Sequence, residues 1–247
     1  YQLDKIFNID RFQYLRFYQK YYIKFLEYLR NKRLPHLAIL FPRRRNVQDG
    51  FGYNGMLDKD SKNGYYIGDW QSEKYFFTIK NEIFNIFKFD ESILSEQSIL
   101  YKQQINSYNS VSIHIRRGDY LTPYYKSAVG ESCTLEYYEK AISIINEKVE
   151  DPTFFVFSDD IEFAKQNLKS NKIVFVDHNK ADDSWQDMYL MSKCKHNIIA
   201  NSTFSWWAAY LNKNREKIII APELWWKGFD TSDVIPDSWI KTPPLVN

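Results

Sequence analysis

Residues 111–120 read VSIHIRRGDY: Val111, Ile113 and Ile115 alternate with Ser112 and His114, and an abrupt polar turn follows. Alternation with period two predicts a β-strand, and the turn marks its carboxyl end. Moving outward, LEYYEKAISIINEKV (135–149) places Leu135, Tyr138, Ala141, Ile142, Ile145 and Val149 on one helical face. FFVF (154–157) predicts a second strand, residues 161–168 a short helix, and IVFV (173–176) a third strand. A helix from Asp183 or Ser184 to about Cys194 comes next, with Ser184 and Asp187 forming a relative of the capping box. NIIA (197–200), TFSWWAAYL (203–211) and IIIA (218–221) complete a β-α-β-α-β-α-β-α-β succession. Connections of this length suit parallel strands with crossover helices. The expected fold class is therefore α/β, with a doubly wound, Rossmann-like parallel sheet in residues 109–247.

Residues 1–108 are less regular and are expected to form a smaller N-terminal α/β part. A helix from about Arg11 to Arg30 would put Phe12, Leu15, Tyr18, Tyr22, Phe25 and Leu29 on one stripe. Residues 10–45 hold ten Lys/Arg against Asp10 and Glu27, whereas the whole chain is only +2. Two readings stand side by side: a core-facing helix with a solvated basic back, or a peripheral contact with an anionic membrane. GYYIGDWQSEKYF (64–76) reads as a loop entering a strand and forming one wall of a cleft.

With 247 residues, 44% hydrophobic and only 8 Gly and 8 Pro, the composition excludes a disordered or collagen-like chain. The charge balance excludes a surface built wholly for nucleic acid. Two cysteines, Cys133 and Cys194, fit a reducing compartment rather than a disulfide framework. No stretch approaches the roughly 20 apolar residues of a membrane span. YQLDKIFNID, at the start, lacks the basic lead and apolar core of a signal peptide. It also lacks an initiator Met, so a natural N-terminal segment is expected to precede it. The expected location is cytoplasmic, with peripheral attachment to the inner membrane through residues 10–45.

Open parallel sheets bind ligands outside the carboxyl ends of their strands, and the polar residues fall there. The first strand ends in Arg116-Arg117-Gly118-Asp119, the second in Ser158-Asp159-Asp160, and the fourth in Asn201-Ser202-Thr203. Small hydroxyl residues at a strand-to-helix turn bring backbone N–H groups to a positive helix end, an anion site. Two arginines one strand away supply forks matched to phosphate. Together these suggest a diphosphate, with Asp159 or Asp160 accepting N–H donors from a base; guanine offers such donors better than adenine. The competing readings are a surface ion pair for the arginines, a helix N-cap for Asp159-Asp160, and a core histidine for His114. No metal is expected. Cys194 and His196 with Cys133 and His178 lack zinc spacing, and Asp58-Lys59-Asp60 lies in a polar loop with no strand leading in. Neither G-x-S-x-G nor a P-loop lysine occurs.

His114-Ile115-Arg116-Arg117-Gly118-Asp119-Tyr120 resembles the H-x-R-R-G-D-Y motif of the bacterial α-1,2-fucosyltransferases, glycosyltransferase family 11. Asp187, Met191, Cys194, His196 and Asn201 through Trp207 resemble that family's second signature, and 64–76 is similar to the segment before the strand. The resemblance spans nearly the whole chain. It implies a GT-B-like architecture, a GDP-β-L-fucose donor, inversion without metal, and a galactose-terminated acceptor attacked through its 2-hydroxyl. Family members open with a strand and a glycine-rich turn that this chain lacks, so that half of the cleft is expected to be incomplete.

In that setting the leaving diphosphate falls to Arg116 and Arg117 with Ser202, Thr203, Phe204 and Ser205 beside Asn201. His114 and Asp159 or Asp160 would hold the guanosine. Asp119 is either the base that takes the acceptor proton or a group that orients an arginine or caps the turn. Alternatives to this function are transfer with other regiochemistry, α-1,6 or O-linked, and a non-catalytic sugar or nucleotide binding module.

Overall fold

The structure, a computed structural model, describes residues 6–7, 16–31, 44–48, 50–55, 64–129 and 132–243. Helix α1 (Phe17–Asn31), strands β1 (Arg44–Val47) and β2 (Gly64–Ile67), and helices α2 (Lys80–Ile86) and α3 (Glu96–Ser107) come first. The main sheet follows: β3 (Asn109–Ile115), β4 (Pro152–Ser158), β5 (Ile173–Val176), β6 (His196–Ile198), β7 (Ile219–Pro222) and β8 (Ile240–Thr242). Between its strands run α4 (Pro123–Val129), α5 (Leu135–Lys148), α6 (Ile161–Asn167), α7 (Trp185–Lys193) and α8 (Thr203–Tyr210). β1 and β2 form a separate parallel pair.

All neighbours in the six-stranded sheet are parallel, in the spatial order β5-β4-β3-β6-β7-β8. That is third, second, first, fourth, fifth, sixth, the Rossmann order, and its switch point lies between β3 and β6. The α/β class and the doubly wound sheet thus stand as expected. A sixth strand, β8, escapes the periodicity because three residues, Ile240-Lys241-Thr242, are too few to display one. Residues 64–67 also reverse the expected order: the strand comes first and the loop of 68–72 follows it.

The alternation in 111–115 reflects two buried faces rather than one buried and one wet. Val111, Ile113 and Ile115 pack with Tyr138, Ala141 and Ile145 of α5. Ser112 and His114 are equally buried on the opposite face. There Phe155, Phe157 and Val176 meet Tyr189, Leu190 and Met191 of α7. Double-sided burial is the rule for central parallel strands. Thr134 caps α5 by accepting the Tyr137 N–H, and Asp160 caps α6 by accepting that of Phe163. The expected capping role of Ser184 is not met. Residues Ala181–Ser184 wind as a 3-10 turn, Ser184 has helical backbone angles, and its hydroxyl donates back to the Ala181 carbonyl.

The expected core-facing stripe of α1 is only partly realised. Leu29 is buried and Tyr22 half-buried, but Tyr18 is 61% and Phe25 47% exposed. Phe17, also exposed, meets Tyr21 along the helix in a tilted ring pair at 4.3 Å. Phe12, Leu15 and the Asp58-Lys59-Asp60 segment lie outside the described residues.

A third cluster crosses the expected boundary at 108/109. Phe51, Phe76, Ile83 and Phe84 pack against Trp206, Trp207 and Tyr210 of α8 and against Trp225 and Trp239. Beneath it a buried polar knot ties β3, β6 and α7 together. The Asn197 amide donates to Ser112 Oγ (2.7 Å) and to the Met191 carbonyl (2.8 Å), while its oxygen accepts from Asn212 (2.7 Å). Asn197→Ala strands these fully buried partners and is expected to cost about 2–3 kcal/mol. A lower urea midpoint at unchanged m-value would register it.

Candidate active site

A cleft of about 1010 Å³ opens at the switch point, along the carboxyl ends of β3, β4, β5 and β6. Arg116, Asp119 and Tyr120 reach it from β3, and Ser158, Asp159 and Asp160 from β4. Asp177, Asn179 and Lys180 arrive from β5, and Asn201, Ser202, Thr203 and Phe204 from the turn after β6. Gln71, Trp207, Trp225 and Trp226 close the remaining side. The Tyr120 hydroxyl donates to the Asn201 carbonyl at 2.8 Å, pinning the β3 turn to the β6 turn across the switch point.

The charged residues form one interlocked set. Arg116 is held between Asp119 (Nη2–Oδ1, 2.8 Å) and Asp159 (Nη1–Oδ2, 2.8 Å). Asp159 also accepts the Arg117 backbone N–H at 2.8 Å. Arg117 turns away from the cleft: its guanidinium lies 3.5 Å from the centre of the Phe163 ring and its Nε donates to Asp160. So one arginine, not two, faces the cleft. Three carboxylates around two guanidiniums leave no surplus positive charge, and anion affinity must come from N–H groups not already matched. Asp159 and Asp160 line the cleft and already accept one protein donor on each oxygen, so a base edge there would share the carboxylates with those donors. Asp119 is in ion-pair contact with Arg116, as its arginine-orienting alternative requires.

Free donors exist at α8. Trp206 is the first residue of the helix to bond back, to the Ser202 carbonyl at 3.0 Å. Thr203, Phe204 and Ser205 therefore have no upstream helical acceptor. The Ser202 side chain makes no capping bond, and no acidic residue occupies the first turn. This helix start is thus an uncapped positive pole whose first residues line the cleft. Ser205 is fully buried behind the cleft lining, and its hydroxyl bonds to the Ala200 and Ser202 carbonyls. Asn201 is equally committed: its amide donates to the Trp225 carbonyl and its oxygen accepts from the Cys133 thiol.

His114 lies at the cleft floor with its ring 5.6 Å from that of Phe204. Burial, aided by the Arg116 charge, drives its pKa down to about 3, so it stays neutral. Its Nδ1 is buried without a hydrogen-bond partner among the described residues.

Residue-by-residue reading missed Asp187. It lines the cleft from the first turn of α7, and burial pushes its carboxyl up to about 7 against the opposing Asn179 hydrogen bond of 2.7 Å. The signal was an acidic residue on an otherwise buried helix face, which the capping reading absorbed. Lys180, Tyr120 and the tryptophans were missed because they sit in loops or on apolar patterns that say nothing about which cavity they border. Among the described residues no group of three or more His, Cys, Asp or Glu is placed to hold a metal ion, and no helix is long and apolar enough to cross a membrane.

The sequence profile of Glycosyl transferase family 11 matches residues 54–241. The O-antigen biosynthesis glycosyltransferase WbnK of Escherichia coli is 38% identical over 184 residues, covering 72% of this chain and 61% of WbnK. The alpha-1,2-colitosyltransferase of Escherichia coli is 34% identical over 216 residues, 85% of this chain and 72% of that protein. Galactoside alpha-(1,2)-fucosyltransferase 1 of Leontocebus fuscicollis is 28% identical over 175 residues, and the match spans just under half of its length, 47%. Among solved structures, the NodZ alpha-1,6-fucosyltransferase soaked with GDP-fucose aligns with 62% of this chain and 53% of its own, at 19% identity and a TM-score of 0.41. On the extent of the profile match, which takes in β3 to β7 whole and the start of β8, the chain belongs to glycosyl transferase family 11.

Proposed function

We propose that this chain carries the donor site of an inverting transferase that moves L-fucose from GDP-β-L-fucose to the 2-hydroxyl of a terminal galactoside. The observation that carries the reading is the sharing of one cleft, at the switch point, by the Arg116 guanidinium and the uncapped start of α8. Breaking the sugar–phosphate bond leaves charge on the diphosphate. A fixed guanidinium and aligned N–H groups stabilise it without reorganising, and Lys180 adds a mobile cation. Because Arg116 is already paired with two carboxylates, its part is directional, and the surplus positive charge comes from the unmatched N–H groups at the start of α8 and from Lys180; no metal is assigned. Asp119 and Asp159 hold Arg116 in place; their role is geometric. Asp187 and neutral His114 face the cleft without saturating protein donors, and we assign them the base, Asp187 accepting from a guanine N–H edge.

A colitosyl donor is a second reading, motivated by the alpha-1,2-colitosyltransferase relative. Colitose lacks the 3-hydroxyl of fucose, so parallel assays with the two donors separate them. The linkage formed on lactose separates 2-hydroxyl transfer from α-1,6 or O-linked chemistry. A cytoplasmic location at the inner membrane belongs to the same proposal. Arg16, Lys20 and Lys24 are exposed on α1 beside Phe17 and Tyr18. Binding to anionic vesicles that weakens with added salt is expected; binding indifferent to salt would count against it.

Arg116→Ala is expected to reduce transfer by about two orders of magnitude or more with thermal unfolding unchanged. Asp119→Asn should cost only about tenfold and leave the pH–rate profile intact, whereas loss of a general base costs about 10²–10⁴-fold. The affinity for GDP should rise as pH increases through about 7, because the guanine edge prefers ionised Asp187. Below that value binding releases a proton. Calorimetry in buffers of different ionisation enthalpy measures the release, and Asp187→Asn should abolish it.

A further inference from the structure

Four polar side chains from three elements form a chain of contacts that ends at the cleft. Ser98, in the first turn of α3, is fully buried, and its hydroxyl oxygen lies 2.8 Å from His178 Nε2. The same oxygen is 3.4 Å from the amide nitrogen of Asn179 and 3.5 Å from its amide oxygen. Asn179 in turn donates to Asp187 Oδ1 at 2.7 Å. The start of α3 is fastened beside that carboxylate. Ser95 caps the helix by accepting the Ser98 N–H, and its own N–H donates at 2.9 Å to Gln186, the neighbour of Asp187. The Tyr101 ring stacks on the His178 imidazole at 5.1 Å and 16°. His178 Nδ1 is buried with no hydrogen-bond partner among the described residues. A bare acceptor in that place is better tolerated than an orphaned N–H, which puts the proton on Nε2 and makes Ser98 Oγ its acceptor. The Ser98 hydroxyl hydrogen is then left for the Asn179 oxygen, and the amide nitrogen faces Asp187. Every link so ordered delivers a donor to the carboxylate and favours its ionised form.

We propose that Ser98 and His178 are positioning residues of the nucleotide site, acting through Asn179 to keep a donor aimed at the Asp187 carboxylate. This assignment rests on the reading of Asp187 as the group that accepts from the guanine edge. Asn179 and Asp187 border the cleft, whereas Ser98 and His178 stand behind its lining. Without the Ser98 hydroxyl the amide is free to turn over and present its oxygen, which suits a protonated Asp187. Ionisation of Asp187 then moves to higher pH. The charged and titratable groups on the surrounding elements are Asp182 and Asp183 in the turn before α7, Asp177, His178 and Lys180 after β5, and Glu96 at the start of α3. Arg116, with its paired carboxylates, and neutral His114 complete the cleft side, and α8 brings no charge. None of these charges enters the balance on the Asp187 carboxyl, which burial raises and the Asn179 hydrogen bond lowers. The amide is therefore the group through which its ionisation is set. Burial keeps His178 below its ordinary value against the pull of Asp177, so it serves as a neutral donor.

The test follows two titrations of the full chain. One is the Asp187 carboxyl without ligand, read by carbon-13 NMR of aspartate-labelled protein and assigned by its loss in Asp187→Asn. The other is GDP affinity across the same pH range, each variant compared with the native chain so that titration of the GDP phosphate cancels. Ser98→Ala should move both midpoints upward by about half a unit, weakening GDP about threefold at pH 6 and not at all at pH 8.5. His178→Phe keeps a ring against Tyr101 but removes the donor, and should shift both in the same direction; it carries the test if Ser98→Ala does not fold. His178→Gln, whose amide nitrogen reaches the place of Nε2, should bring both midpoints back towards the native ones. An Asp187 midpoint unmoved in Ser98→Ala and His178→Phe, or an equal loss of GDP affinity at every pH, would overturn the assignment. If GDP affinity depends on Asp187 and pH but the variants move neither midpoint, the relay falls and the donor reading stands. If the variants move the carboxyl midpoint while GDP affinity ignores Asp187, the relay stands and the guanine assignment falls.

Discussion

Asp159 is the point on which the site turns. Its carboxylate takes the Arg117 backbone N–H and the Arg116 guanidinium at 2.8 Å each, joining the ends of adjacent strands β3 and β4. The approach is so close that a Cβ on residue 118 would lie 2.6 Å from Asp159 Oδ2, so a side chain there would push that carboxylate out of its contacts with the two arginines. The sharp turn that this permits lets Asp119 come back to the same guanidinium, and lets Tyr120 reach the β6 turn. Remove that carboxylate and Arg116 keeps its charge but loses its direction.

These ion pairs are partly exposed, and such pairs contribute little to stability. They act on geometry. Stability comes from the two faces of the parallel sheet, each covered by its own helices, and from the Asn197 knot between them. The division matters for the chemistry: the sheet is a rigid frame, and its strand ends carry polar groups whose positions are set by short contacts between neighbouring turns. A helix start left uncapped costs the fold some stability, and it keeps N–H donors available for an anion.

The aromatic seam along α8 does a different job. Phe76, Phe84, Trp207 and Tyr210 bind the segment after β2 to the sheet domain. The large cleft and a smaller cavity of about 270 Å³ beside it therefore share a wall made of the same tryptophan. Trp207 is read in sequence as one more apolar residue of a helix, yet in the structure one of its sides borders each cavity.

How much was legible follows from which forces are local. Periodicity in 111–120, 135–149, 154–157 and 173–176 named strands and helices because burial acts on every second residue or every third to fourth. The order of those elements, with short crossovers, led to a doubly wound sheet and so to its polar edge. The Asp160 cap and the α8 start were readable for the same reason: each depends on neighbours within a few residues. Sequence alone did not say that Arg117 would leave the cleft for Phe163, that Asp159 and Asp160 would each be tied to an arginine, or that Asp187 would be a buried acid facing it. It also did not place Trp70 against a cavity floored by α8. Those outcomes depend on groups from strands and loops tens of residues apart competing for the same donors and the same space, and only the tertiary arrangement settles which partner wins.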